Sequence, residues 1–336
     1  MLKNVLKNKK VRGILQVAFS LGLLAWLVQK VGPAAILAAL TDLDPVWYMV
    51  ALGLFLLNVV LRAYRWHILL HSLNDRPPFW ELAYLYFVGF FFNNFIPSGF
   101  GGDVVKVVSL RQSYGRGAEA LSSVVMDRLT GLMGSSLIAL FALWWNSLSH
   151  TTTILLPGWL MGLVLALSLG VPAGFLLLRW TEPLAWLAER LPFTRPVTTN
   201  ARLINLSDTV RRYPLPVLVN SLLISIPFTL SLIMVQYAVA RSLDVDADLH
   251  LFGLFVPIIA IINLLPISFN GLGTREGVYL LLFVPAGIPS EQAIAMSLAF
   301  YFLRFTAGML GGLMLAIKSI AAVARHRALE KARPGH

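Results

Sequence analysis

Two short segments of the chain have the residue types of an anion-binding site. One is NNFIPSGFGGD and the other is NLLPISFNGLG, and each interrupts a long apolar stretch. Their candidate ligand-contacting residues are Asn94, Gly101, Gly102, Asn270, Gly271 and Gly273. Glycine lets a ligand approach the backbone closely, because it has no Cβ atom. A short helix is predicted to follow each segment, and the free N–H groups at a helix start favour an anion.

Six charged residues accompany these segments: Asp103, Asp127, Arg128, Arg275, Glu276 and Arg304. An ion within a membrane costs a few kcal/mol or more, so it normally faces a partner or a transport pathway. Arginine can grip a phosphate group with two hydrogen bonds. The three arginines are therefore predicted to hold a phosphate-like head group. The three carboxylates would balance charge, bind an amine or take up a coupling proton, since buried carboxylates can titrate near neutral pH.

Structural roles for the same charged residues are open alternatives. Asp103 stands where a helix N-cap is expected. Asp127 and Arg128 are adjacent and point about 100° apart on a helix, so each would pair elsewhere. Asp103 and Glu276 are the candidate partners. Arg304 has no acidic residue nearby in its own apolar stretch, which favours a functional role for it.

Other polar residues have simpler interpretations. Arg62, Arg65 and His67 close an apolar stretch, where anchoring at the membrane interface is the default. The alternative is that they gather anionic lipid head groups. Asn93 and Asn263 could simply satisfy freed backbone groups. Neither a P-loop nor a metal-binding arrangement of histidines stands out, so the sequence predicts no cofactor and no metal.

The composition identifies an integral membrane protein. Of 336 residues, 57% are hydrophobic and only 13% are charged, which no ordinary soluble domain combines. The formal net charge is +11, but the basic residues lie in short segments between apolar stretches. Membrane topology explains them better than nucleic-acid binding does. The chain has no Cys, which excludes disulfides and cysteine-based metal sites.

Several apolar stretches have the length of about 20 residues that a spanning helix needs. They are roughly 12–31, 46–70, 118–145, 154–178, 214–240 and 290–318. The first is expected to be retained rather than cleaved as a signal peptide. Two more, 79–112 and 249–287, are each interrupted by one of the segments above. Residues 32–45 are predicted to be a short connector, and 179–213 an amphipathic helix on the membrane surface.

The distribution of lysine and arginine predicts the topology, because cytoplasmic loops are enriched in both. One topology places most of them in the cytoplasm, together with both termini. It requires each interrupted stretch to enter and leave the membrane on the same side. The alternative, in which each stretch crosses fully, would place the basic segment 111–116 outside.

The predicted fold is an all-α membrane protein with an inverted repeat, in which each half has three spanning helices and one re-entrant helical hairpin. Residues 1–150 form the first half, and its hairpin 79–112 enters from the cytoplasm. Residues 151–320 form the second half, and its hairpin 249–287 enters from outside. Residues 321–336 are predicted to be a basic cytoplasmic tail.

Three ordered motifs resemble the flippase-like membrane domain family, also called the lysylphosphatidylglycerol synthase transmembrane region family. They are NNFIPSGFGGDV at 93–104, DRL at 127–129 and LPISFNGLGTREG at 265–277. The resemblance covers nearly the whole chain and implies a protein of the bacterial or archaeal inner membrane that moves lipids or lipid-linked head groups. The family's motif positions fall on Asp103, Asp127, Arg128, Arg275 and Glu276. Some relatives carry a fused aminoacyl-transferase domain. Only a short tail follows the last apolar stretch here, so that enzyme activity is not expected.

The leading hypothesis is a lipid flippase, or translocase, that moves a phospholipid or a lipid-linked head group between leaflets by alternating access. Its expected partner is a membrane lipid, and a coupling proton is a second candidate. A small-solute or ion secondary transporter is the alternative, which predicts a closed cavity where a translocase predicts a lateral slot. A membrane enzyme acting on lipid phosphates would need a base and a nucleophile, and no strong pair is present. A scaffold without transport activity would leave the buried arginines unexplained.

Overall fold

The structure is a computed structural model. It describes residues 9–73, 77–96, 101–115, 117–148, 157–179, 208–263, 268 and 271–331. The described part of the chain forms α-helices and contains no β-strand. The prediction of an all-α membrane protein is therefore confirmed.

The helices of the first part of the chain are α1 Lys9–Val31, α2 Pro33–Thr41, α3 Pro45–His71, α4 Phe79–Phe95, α5 Gly101–Tyr114 and α6 Gly117–Leu148. Those of the second part are α7 Gly158–Arg179, α8 Leu215–Ser242, α9 Leu249–Ile262, α10 Thr274–Phe283 and α11 Ser290–Lys331.

Four of these helices, α3, α6, α8 and α11, are long and apolar enough to cross a membrane. They coincide with four of the predicted spans. The first predicted span is part of a fifth candidate, in which Val17–Val31 is followed by α2 at an angle of 87°. The predicted span 154–178 corresponds to α7, whose apolar part is the shorter stretch Leu165–Leu177.

Three predicted details need correction or lie outside the described residues. Residues 32–45 are not a simple connector, because Gly32 adopts a φ of 107° and Pro33 then starts a new helix. The predicted tail after 320 begins as helix, because α11 continues to Lys331. Most of the predicted amphipathic helix at 179–213 falls in 180–207, outside the described part.

Both interrupted stretches are pairs of helices rather than unbroken ones. α4 ends at Phe95 and α5 begins at Gly101, whereas α9 ends at Ile262 and α10 begins at Thr274. α4 and α5 lie against each other, because a Cβ atom on Gly102 would be only 2.5 Å from the carbonyl oxygen of Gly89. The side chain of Asn93 accepts a hydrogen bond from the Gly102 N–H group at 2.7 Å, which satisfies a free donor at the start of α5.

Small residues set the closest helix contacts. α4 packs against α11, where a Cβ atom on Gly308 would collide with Asn94 and one on Gly311 would collide with the Phe87 carbonyl group. α9 packs against α6, and α3 packs against α8. Small residues let helix backbones approach closely in lipid, where the hydrophobic effect does not drive helices together.

The main core lies where these packed helices meet. The rings of Phe252 and Phe255 on α9 contact Phe283, with ring centroids 5.5 and 5.1 Å apart. Other large apolar residues lie outside this core: Leu223 and Phe302 are more than half exposed, at 56% and 53%. Lipid tails are as apolar as leucine, so such exposure is expected on the lipid-facing side of a membrane helix.

Candidate functional site

A cavity of about 290 Å³ lies among α3, α4, α6, α8, α9, α10 and α11. The charged residues that line it are Arg62, Arg65, Asp127, Arg128, Arg275 and Arg304. The end of α4 reaches it through Asn93, and the second helix break reaches it through Asn263, Ser268 and Gly271. Two segments far apart in the sequence therefore contribute to one strongly basic cavity.

Asp127 on α6 is the centre of a buried network on one wall. The Nε atom of Arg65 donates a hydrogen bond to Oδ1 of Asp127 at 2.7 Å, and Nη1 of Arg65 donates to Ser225 at 2.9 Å. The hydroxyl group of Tyr86 donates to Oδ2 of Asp127 at 2.5 Å. The Nε atom of Arg62 lies 3.9 Å from the same oxygen. Both oxygens of Asp127 therefore already have partners within the protein.

Arg62 and Arg65, for which the sequence favours interfacial anchoring, lie at the cavity instead of only at the outer surface of the helix. Arg65 is only 1% exposed, and both residues line the cavity. Asn58, Arg62 and Arg65 follow one another at i, i+4 and i+7, so they form a polar stripe on an otherwise apolar helix. That spacing is the sequence signal that could have identified them, because an interfacial anchor needs no such alignment.

A second ion-pair group joins α5 to α6. The Nε atom of Arg128 donates a short hydrogen bond to Oδ2 of Asp103, and the ammonium nitrogen of Lys106 lies 3.8 Å from Oδ1 of Asp103. Lys106 is 4% exposed and its ammonium nitrogen lies 3.2 Å from the ring centroid of Tyr86, so it is a buried cation over an aromatic ring. Of the alternatives left open for Arg128, the ion pair with Asp103 is therefore the one formed.

The second half of the chain contributes a third group, at the start of α10. Arg275 donates to Glu276 at 2.9 Å and to Ser297 at 2.8 Å, and Ser297 donates to the same oxygen of Glu276 at 2.8 Å. The other oxygen of Glu276 accepts the Gly273 N–H group at 2.6 Å. The Nη1 atom of Arg275 is buried and has no hydrogen-bond partner, and Arg275 lines the cavity.

The predicted site residues divide by position. Five of them line the cavity: Asp127, Arg128, Gly271, Arg275 and Arg304. Six are not among its lining residues: Asn94, Asp103, Gly101, Gly102, Gly273 and Glu276. Asn270 lies outside the described residues. Asp103 and Glu276 do not line the cavity, but each forms an ion pair with an arginine that does.

The glycines that do not reach the cavity lie in tight contacts with other parts of the protein. A Cβ atom on Gly101 would lie 2.7 Å from the side chain of Ile96, and Gly102 faces Gly89. Gly273 has a φ of 81° and lies against the carbonyl oxygen of Ser20, which a Cβ atom would approach to 3.0 Å. Gly102 and Gly273 therefore lie in close contact with backbone atoms, and the expectation that these glycines admit a ligand stays a prediction. Residues that the sequence interpretation missed on the cavity wall include Asn58 and Gln236.

Comparison with known proteins shows two similarities that bear on this chain. The family model for the lysylphosphatidylglycerol synthase TM region matches residues 13–312. A curated protein of Methanothermobacter thermautotrophicus, named UPF0104 membrane protein, is 27% identical, and the match covers 84% of this chain and 86% of that protein. Together with the apolar helices, these matches indicate a multi-pass membrane protein.

Proposed function

The chain belongs to the lysylphosphatidylglycerol synthase transmembrane region family, and we propose that it is a lipid translocase. It moves a phospholipid or a lipid-linked head group between the leaflets of the inner membrane of a bacterium or archaeon by alternating access. The head group occupies the cavity, and the acyl chains stay in the lipid. The observation that carries this proposal is the cavity wall, where five arginines face a single aspartate among the described lining residues.

The charge of the site supports an anionic occupant. The three ion-pair groups contain Asp103, Asp127 and Glu276, each of which is already bonded to an arginine. The arginines that line the cavity outnumber these three carboxylates, although Asp103 and Glu276 are counted without lining the cavity themselves. An excess of cationic over anionic side chains around a cavity favours an anion that enters it. Guanidinium groups are also the side chains best suited to phosphate.

The size of the cavity supports a head group rather than a whole lipid. At about 290 Å³, it is at the lower end of the range of small-molecule sites. A phosphate with a small substituent fits such a volume, whereas two acyl chains do not. A transported lipid would therefore leave its chains outside the protein.

The helix packing supports the inverted repeat that alternating access requires. α4, from the first interrupted stretch, packs against α11, which follows the second. Reciprocally, α9, from the second interrupted stretch, packs against α6, which follows the first. An axis that relates the two halves would exchange these two contacts and place α3 opposite α8. We therefore retain the two re-entrant hairpins and the cytoplasmic location of both termini as parts of the proposal.

The test is reconstitution of the full chain into vesicles that carry acyl-labelled lipid, with measurement of how fast the label reaches the other leaflet. Arg304→Gln and Arg128→Gln are expected to slow this movement about tenfold or more, since each removes a charged contact to the head group. Arg241→Gln is the matched control, because Arg241 pairs with the exposed Asp246 and is not among the cavity-lining residues. Unchanged movement in folded Arg304→Gln and Arg128→Gln proteins would contradict the proposal.

A small-anion transporter is the second candidate. The cavity volume favours it as much as it favours a lipid head group, because a free phosphate ion would also fit. The same vesicles separate the two, if they are loaded with radiolabelled phosphate. Phosphate release without lipid movement would favour the small-anion transporter, and the reverse would favour the translocase. Either outcome describes transport rather than an enzymatic reaction.

A further inference from the structure

Lys106 on α5 is a buried lysine whose ammonium group has two kinds of stabilising neighbour within reach. Its nitrogen lies 3.2 Å from the ring centroid of Tyr86 and 5.0 Å from that of Trp66. The Oδ1 atom of Asp103 is 3.8 Å away, which is close enough for an ion pair but too far for a hydrogen bond. Asp103 lies three residues before Lys106 on the same helix, so a small movement of the flexible lysine side chain would close that gap.

The two aromatic rings are held by other hydrogen bonds and cannot follow the ammonium group. The Tyr86 hydroxyl group donates to Asp127 at 2.5 Å, and the Trp66 indole N–H group donates to Ser123 at 2.9 Å. Both ring residues are almost fully buried, at 2% and 0% exposure. The lysine therefore has one position over a fixed ring and a second position, about 1 Å away, on a carboxylate.

Asp103 is shared between two cations. Its Oδ2 atom accepts a short hydrogen bond from the Nε atom of Arg128, and its Oδ1 atom is the one near Lys106. Arg128 lines the cavity, whereas Asp103 and Lys106 are not among its lining residues. The side chains of Arg128 and Asp103 are 24% and 16% exposed, compared with 5% for Lys106. Two cations therefore lie around one carboxylate, so an anion that binds Arg128 would complete a second pair.

An anion can take Arg128 from Asp103 favourably only if Asp103 gains another partner. Removing one member of an ion pair in a poorly solvated site leaves the other charge uncompensated, which is strongly unfavourable. Lys106 is the second cation at Asp103, and its ammonium group can close onto Oδ1 while Arg128 turns to the anion. One ion pair and one cation over a ring are thereby exchanged for two ion pairs, which are the stronger interactions.

We infer that Lys106 is a positioning residue that releases Arg128 for the head group. In the present arrangement Asp103 holds Arg128, and Lys106 lies over the Tyr86 ring. When the phosphate group binds Arg128, Lys106 becomes the partner of Asp103. This inference rests on the proposed function and deepens it, because it states which side chains exchange partners when the substrate binds.

Lys106→Met tests the exchange in vesicles that contain the full chain and increasing fractions of acyl-labelled phosphatidylglycerol, an anionic lipid. Without the lysine, Asp103 keeps Arg128, so the lipid fraction at half-maximal rate is expected to rise about tenfold. Lys318→Met is the matched control, because Lys318 is an exposed lysine that lies 4.5 Å from the Tyr84 ring centroid. An unchanged half-maximal fraction in a folded Lys106→Met protein would overturn the inference and leave the proposed translocase standing.

A double variant separates the exchange from a purely structural role of the lysine. Asp103→Asn removes the carboxylate that competes for Arg128, so adding it to Lys106→Met is expected to restore most of the lost affinity. A lysine that only packed against Tyr86 would predict no recovery, because the ring contact is absent from both variants. A folded double variant as weak as Lys106→Met would contradict the exchange. Lys106→Gln takes the place of Lys106→Met throughout if the methionine variant does not fold.

A binding measurement does not depend on transport. Inorganic phosphate or short-chain phosphatidylglycerol is added to the purified protein, and the rise of its thermal unfolding temperature is recorded, because a ligand that binds the folded state raises that temperature. Wild type and the double variant are expected to be stabilised more than Lys106→Met. If no lipid moves in vesicles but this order is observed, the translocase fails and the exchange stands. Equal stabilisation of wild type and Lys106→Met, or no stabilisation of wild type by either compound, would overturn the exchange.

Discussion

Arg65 and Asp127 form a hydrogen-bonded ion pair between α3 and α6, with Nε and Oδ1 2.7 Å apart although the residues are separated by 62 positions. Both side chains are almost fully buried, at 2% and 4% exposure. Ser225 of α8 accepts a second hydrogen bond from Arg65. One guanidinium group thus connects three helices that line the cavity. Its hydrogen bond to Oδ1 also holds the Asp127 carboxylate in one orientation.

Asp127→Asn is expected to destabilise the protein by about 3 kcal/mol, because it leaves a buried arginine without its anionic partner. Thermal unfolding of the purified protein measures the loss. Replacing both partners, as in Arg65→Leu with Asp127→Asn, should recover part of it, since the unpaired charge is then gone. Asp246→Asn removes the fully exposed partner of Arg241 and should not change the unfolding temperature measurably. Additive losses in the double variant would contradict the importance of the pair.

Gly131→Ala should displace Arg65 without changing any charge. An added Cβ atom would lie 2.9 Å from both Nη atoms of Arg65, whose guanidinium group is held by hydrogen bonds from Nε to Asp127 and from Nη1 to Ser225. We expect a loss of about 1–3 kcal/mol in the free energy of unfolding, together with slower lipid movement. Gly53→Ala on α3 is the matched control, because nothing lies within 4 Å of its added Cβ atom. Equal stability of the two variants would exclude the packing role of Gly131.

Gly311→Ala should separate α11 from α4. Its Cβ atom would collide with the backbone of Phe87, which cannot rotate away as a side chain could. Arg304 and Asn93 lie on these two helices and line the cavity, so lipid movement should fall along with the unfolding temperature. The expected loss of stability is about 1–3 kcal/mol. Gly277→Ala, whose Cβ atom has no neighbour within 4 Å, serves as the comparison, and equal behaviour of the two would refute the contact.

The proposed inverted repeat predicts the accessibility of two single cysteines. Ser113→Cys lies near the end of α5, and Ser290→Cys lies at the start of α11. The chain has no native cysteine, so a membrane-impermeant thiol reagent reports each position alone. We expect Ser113→Cys to be labelled from the cytoplasmic side and Ser290→Cys from the opposite side. Labelling of both from one side would eliminate the inverted arrangement.

Much of the helical framework could be predicted, because its signals are local. The apolar stretches near 46–70, 118–145, 214–240 and 290–318 became α3, α6, α8 and α11, since each is long enough and apolar enough by itself. The glycine-rich segments predicted where α5 and α10 begin, because glycine and proline change the backbone wherever they occur. The sharp turn at Gly32 was missed, because a single Gly-Pro pair does not say whether the chain continues as a loop or as a new helix.

The sequence alone determines which charged and small residues interrupt the apolar helices. Which of them meet was decided by the tertiary structure. Arg65 faces Asp127, Gly102 lies against Gly89 of the neighbouring helix, and Gln236 lines the cavity. A buried charge pairs with whatever group the neighbouring helix presents, and that neighbour is chosen by long-range packing that no local pattern encodes.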